Sequence, residues 1–188
     1  MAWRSLFLSD ELIWRAPFPT AERALAESLR AKITALRPHL LDFLRLDEPA
    51  PPHALTLAEW SQPIALRSLL AIWSDHIYRH QPTQPREQKP LLSLWAQWYI
   101  GLLVPPLMLA LLNEPQGLSL APEHFHVEFH ESGRAACFWI DVHSDARIAA
   151  LSPQARIDAL VIRTLQPVVE ALEATGEING KLIWSNTG

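Results

Sequence analysis

Apolar and polar positions alternate with a helical period over most of the chain and with a strand period in one short stretch. From Thr20 to Leu46, "TAERALAESLRAKITALRPHLLDFLRL", apolar residues recur at Leu25, Leu29, Ile33 and Leu36, one face of a helix. Thr20 suits an N-cap, and Glu22 and Glu27 lie toward the positive end of the helix dipole. Pro38 should split the segment into two helices or kink it, since a ring there removes a donor and crowds the preceding turn. A Pro-rich link, "DEPAPPH", occupies 47 to 53. Thr56 and Glu59 have capping-box spacing, and Pro63 suits the first turn of a helix that runs on to His80 before the polar loop 81 to 90.

"LLSLWAQWYIGLLVPPLMLALL", residues 91 to 112, carries no charge and is long enough to cross a bilayer. Two features argue against a span: Pro105 and Pro106 interrupt the run, and Gln97 would need a polar partner in lipid. The expectation is two consecutive buried helices broken at the prolines.

The period changes to two over 124 to 143, where "HFHVEFH" and "AACFWIDVH" flank "ESGR". A hairpin with Ser132 and Gly133 central sets Glu131 against Arg134, Glu128 against Cys137, His126 against Trp139 and His124 against Asp141. One face is then Phe125, Val127, Phe129, Ala136, Phe138 and Ile140, the core side. The other collects His124, His126, Glu128, His130, Cys137, Trp139 and Asp141. Downstream, Ser152 and Pro153 open a helix that Pro167 should kink and Gly176 should stop, and "EINGKLIWSNTG" begins a new segment. The fold class expected is α+β, predominantly helical, with one antiparallel β-hairpin at about 124 to 143 packed on helices.

Composition narrows the functional classes. A chain of 188 residues, 49% hydrophobic and 19% charged, can build one domain over residues 1 to 188 and is not a disordered chain. A net charge of -4 supplies no electrostatic reason to bind nucleic acid. One cysteine, Cys137, excludes an internal disulfide framework and any multi-thiolate metal site within these residues. At the N-terminus, Asp10 and Glu11 arrive before an apolar leader has built up, so a cytoplasmic location is expected.

The candidate chemistry centres on His124, His126, Glu128 and His130. Imidazole and carboxylate suit zinc or iron, yet i and i+2 side chains lie nearly 7 Å apart along a strand, too far for all four to hold one ion. No metal site is assigned, which leaves a solvated hairpin face or a face that lines a substrate cleft; Trp139 among the polar groups fits the second. Elsewhere, Asp75 and Arg79 suggest an i,i+4 ion pair, and His76 and His80 share that spacing without a third ligand. Trp95, Trp98 and Tyr99 read as core. Cys137 reads as a small buried residue, its thiol pushed up by Glu128.

With "LDEPAP", "SDHIYRHQP", "KPLLSLWAQWYIGLLVPPLMLALL", "PEHFHVEFHESGRAACFWIDV" and "ALEATGEINGKLIWSNTG" set side by side, the chain resembles the bacterial ferric siderophore reductases of the FhuF type over essentially its whole length. The resemblance implies a cytoplasmic oxidoreductase, peripheral to the inner membrane, that takes electrons from a donor protein or reductase. Its substrate would be ferric iron held by a hydroxamate siderophore. It also implies a [2Fe-2S] cluster on four C-terminal cysteines, none of which is present here. The chain is therefore expected to be a truncated form, cluster-free and inactive, with Trp184 and Asn186 adjacent to the cluster in the full-length protein. A fainter similarity links Tyr99 through the hairpin to siderophore synthetases independent of non-ribosomal peptide synthesis. The alternative function is a siderophore-binding or interaction module without redox chemistry.

Overall fold

The computed structural model describes residues 20 to 187. The N-terminal stretch behind the leader argument and the side chain of Thr20 lie outside the described residues. Helix α1, Thr20–Leu36, buries Leu25, Leu29 and Ile33 completely or nearly so, while Leu36, the last of the expected stripe, is half-exposed. Pro38 does end the helix, but no second helix follows. A 3-10 turn, Pro38–Asp42, delivers the chain into strand β1, Leu44–Leu46. The alternation Leu44–Arg45–Leu46, buried at both ends and half-buried between, is a strand signature too short to stand out in a helical stretch.

After the Pro-rich link come β2, Leu55–Thr56, the single turn α2, Leu57–Trp60, and α3, Pro63–Ile77. The expected capping box forms at the start of α2: the Thr56 N–H donates to the Glu59 carboxylate at 2.7 Å, and the Thr56 hydroxyl also reaches that carboxylate at 2.9 Å. These bonds, the backbone one foremost, hold the Glu59 carboxyl below its usual value.

The uncharged run is one helix, α4, Gln88–Asn113, continuous through Pro105 and Pro106, and not two. A proline ring collides with the carbonyl four residues earlier. For Pro105 that residue is Gly101, exposed and with open space around it. The apolar face then decides the matter: Leu91, Leu92, Trp95, Tyr99, Leu103, Leu107 and Leu111 are all buried, and packing against α1, α3 and the sheet outweighs two lost helical bonds. By length and composition the helix could cross a membrane, and half of its most apolar window is buried inside the protein.

The hairpin consists of β3, Phe125–Phe129, and β4, Ala135–Ile140. It sits at the centre of a four-stranded mixed sheet, order β1-β4-β3-β2, with β1 parallel to β4, so the expected lone hairpin has gained a short strand on each edge. Phe125↔Ile140, His126↔Trp139 and Glu128↔Cys137 reproduce the expected register. Beyond Glu128 the register slips, and Phe129 pairs with Ala135. Ala136 is the extra residue of a bulge, which turns Ala135 into the core and leaves Ala136 half-buried. The turn is correspondingly longer than two residues: the Gly133 N–H reaches the His130 carbonyl at 2.8 Å and the His130 N–H the Arg134 carbonyl at 2.8 Å. Gly133, at φ 80, presses on α3 so closely that a Cβ would lie 2.4 Å from the Leu69 carbonyl oxygen.

Tryptophans staple the hairpin to the helices. Trp95 donates to the Gly133 carbonyl at 2.9 Å, and Trp60, Trp95, Tyr99, Phe129 and Phe138 form one aromatic cluster with ring centroids 5.1 to 6.4 Å apart. Trp98, expected in the core, is 38% exposed, donates to the Ala135 carbonyl and lies 4.2 Å from the Arg134 guanidinium.

The C-terminal third is helical. Short α5, Ala146–Ala149, precedes α6, Pro153–Leu160, and α7, Gln166–Glu173, which are joined by a π-helical turn, Val161–Leu165. The distortion expected at Pro167 is this widened turn immediately before it. Gly176, at φ 77, closes the segment. Helix α8, Gly180–Thr187, is capped by Asn179 and docks through fully buried Ile183.

Candidate functional site

The pairings Arg45↔Trp139, His126↔Trp139 and Thr56↔His126 line up four side chains across all four strands, and residues directly opposite one another share a face. The row Arg45–Trp139–His126–Thr56 therefore crosses the whole polar face of the sheet. Glu128 lies in the next row. One of its oxygens meets His53 at 3.2 Å and the other accepts from the Trp139 indole N–H at 3.3 Å. His126 meets Asp141 at 3.3 Å, and the Arg45 guanidinium stands 5.9 Å from the Trp139 ring centre. The indole is thus held by a carboxylate at its edge and a cation over its face, half-buried in the middle of the sheet.

Three of the five expected site residues, His126, Glu128 and Trp139, come together here. The other two do not. His130 lies past the bulge, where Nδ1 accepts the Ser132 N–H at 3.1 Å and faces the Ser132 hydroxyl at 2.9 Å, so it shapes the turn. His124 sits in a 3-10 turn, Pro122–His124, with its ring 4.3 Å from that of His143, whose Nδ1 is 2.6 Å from Glu22. Burial, and then the neighbouring His143, lowers the His124 pKa. Asp47, at the same end of the sheet, is raised by burial and by the nearby carboxylates of Glu22 and Asp141.

Arg45, His53 and His143 escape the sequence reading. Arg45 is hidden by the helical pattern of its segment, nothing local marks His53, which reaches the sheet from the Pro-rich link, and His143 ends the hairpin stretch "AACFWIDVH" with no role read from it. Among the described residues no three His, Cys, Asp or Glu side chains converge in a geometry that could hold a metal ion.

Cys137, opposite Glu128, is 8% exposed. Burial is the main cause that raises its thiol, with Glu128 adding to it, so the group is a protonated core residue at neutral pH. A [2Fe-2S] cluster needs four anionic or imidazole donors around it, usually four thiolates, and one buried, protonated thiol does not fit that requirement. Of the two residues expected beside such a cluster, Asn186 donates to Ser93 at 2.8 Å and pins α8 to α4, and Trp184 is 36% exposed.

One surface reading is corrected. Asp75 pairs with Arg86 and not with Arg79, whose guanidinium lies between the His76 and His80 rings, 3.2 and 3.1 Å from them. The reach of the loop ahead of α4 brings Arg86 over, a contact that helical spacing does not reveal.

A small mixed sheet on a helical body, with an indole and polar groups across one face, defines a helix-dominated α+β fold. The family model described as "Ferric iron reductase FhuF-like transporter" matches residues 93–188. A protein of Escherichia coli (strain K12) named ferric siderophore reductase is 61% identical over 188 residues, all of this chain and 72% of that protein. The chain belongs to the FhuF-like ferric iron reductase family.

Proposed function

We propose that the chain is the substrate-facing scaffold of a reductase that acts on Fe(III) held by hydroxamate siderophores in the cytoplasm. Family membership supports the reaction class and siderophore-bound iron as substrate. One electron from a donor protein or reductase converts Fe(III) to Fe(II), which hard oxygen ligands hold far less tightly, and the ion is released. The observation that carries the site is the row Arg45–Trp139–His126–Thr56. A hydroxamate complex presents methylene spacers and partly negative oxygens. The Trp139 ring suits the first, and Arg45 and His126 suit the second, with Glu128 orienting the indole. His124 precedes β3 and His130 follows it, both outside the row.

With one thiol as its whole cysteine complement, this chain is read as cluster-free and inactive as a reductase by itself, with Trp184 and Asn186 close to the cluster in the full-length protein. The same donor set favours a second reading, a siderophore-binding module without redox chemistry. A peripheral position on the inner membrane belongs to the first reading.

Two measurements test this. The purified chain should show no visible absorption and no bound iron or sulfide; stoichiometric amounts of both would overturn the cluster-free reading. The gallium(III) complex of a hydroxamate siderophore, which cannot be reduced, should quench tryptophan fluorescence. His126→Ala with Glu128→Ala should weaken binding about tenfold while Arg147→Ala, at an exposed position of α5, leaves it unchanged. Equal binding by all three proteins would leave the face as plain surface.

A further inference from the structure

A cleft of about 630 Å³ lies between α3, the start of α4 and the C-terminal end of α7, and shares no residue with the row on the sheet. That volume is in the range of small-molecule sites. Its floor is apolar, formed by Leu66, Leu70, Leu92 and Ala171. One polar residue lines it from the core: Ser74, 5% exposed, whose hydroxyl has no hydrogen-bond partner among the described residues. A helical serine ordinarily returns its hydroxyl to the carbonyl four residues back, as Ser68 does to Ile64 at 3.0 Å on the same helix. Ser74 does not, and an orphaned buried hydroxyl costs about 1–3 kcal/mol.

Arg67 lies seven residues before Ser74, on the same side of α3 and about 10 Å along its axis. It is exposed on the rim and makes no ion pair or side-chain hydrogen bond among the described residues, in contrast to Arg86 on the same rim, which Asp75 holds. Gln88, the first residue of α4, lines the cleft, so the positive end of a 26-residue helix opens there. Glu177 lines it too and disfavours a second negative charge.

We propose that this cleft binds an elongated organic monoanion with an apolar body, its carboxylate at Arg67 and an uncharged polar end about 10 Å away at the Ser74 hydroxyl and the start of α4. Leu70 and Ala71 lie between the two ends on α3 and, with the floor residues Leu66 and Leu92, take the hydrocarbon.

Octanoate, 1-octanol and suberate monoamide, an eight-carbon carboxylate with an amide at its far end, serve as probes in NMR titrations of the whole chain. Octanoate should perturb amides of α3 and α7, 1-octanol should bind more weakly, and suberate monoamide more tightly. Arg67→Ala should weaken both acids about tenfold. Ser74→Ala should erase the advantage of the amide and leave octanoate binding intact. Ala71→Trp, which fills the cleft from an exposed helix position, should abolish binding without lowering the melting temperature. No binding of either acid at millimolar concentration, equal binding of octanoate and 1-octanol, or an unchanged affinity in Arg67→Ala would overturn the proposal.

Discussion

The two faces of the central sheet carry the same number of strands and opposite physics. On the inner face Phe125, Val127, Phe138 and Ile140 are at most 5% exposed and meet the aromatic cluster on α4. On the outer face His126, Glu128, Trp139 and Arg45 are half-buried and joined by contacts of 3.2 to 3.3 Å and a guanidinium over a ring. Buried apolar area stabilises in proportion to what is removed from water, whereas polar pairs at a wet surface contribute little net energy. The inner face therefore holds the fold, and the outer one can change for function at low cost in stability.

That contrast can be broken by experiment. Phe138→Ala removes a side chain that is 1% exposed and packed edge-on against Tyr99, and should cost about 3–5 kcal/mol in denaturant unfolding. A cost no larger than that of an outer-face substitution would mean the faces do not differ. Gly133→Ala strains the turn twice, through its φ of 80 and through the 2.4 Å approach to Leu69, and should cost about 2–3 kcal/mol. Glu128→Gln keeps the shape and should shift stability by less than about 1 kcal/mol, while the gallium siderophore binds about three- to tenfold more weakly.

The smallest effect concerns pH. Burial keeps His124 from taking up its proton as readily as it would in the unfolded chain. Between the lowered folded value and the ordinary imidazole value near 6.5, the unfolded state binds more protons, so stability falls as pH drops through that window and is fully present above it. His124→Asn should show a shallower loss of melting temperature between pH 7.5 and 5.5 than the parent. An identical slope would mean His124 contributes nothing to it. Glu114 sharpens the same point deeper in the fold. Burial works to raise its carboxyl, and the bonds from Lys32, the Gln116 N–H and Ser28 outweigh that and hold it low. Its contribution is present at neutral pH and lost in acid.

Much of this was legible from residue order because the relevant interactions are short in sequence. Period-two alternation set the hairpin register at Phe125 to Glu128, and Ser152, Pro153 and Gly176 marked their helix ends through local backbone chemistry. Family resemblance was likewise carried by the string of residues itself. Long-range packing decided the rest. Whether α4 runs through Pro105 and Pro106 depends on how many elements bury its face. Arg45 and His53 reach the polar face of the central hairpin over separations that no window spans. Arg156 shows the same thing, donating to the carbonyls of Leu111, Glu114, Ala149 and Leu151 from a position with no local mark. Local order is written in neighbouring dihedrals and spacing, whereas a site that draws on four strands and two loops exists only once the core has closed and brought them into register.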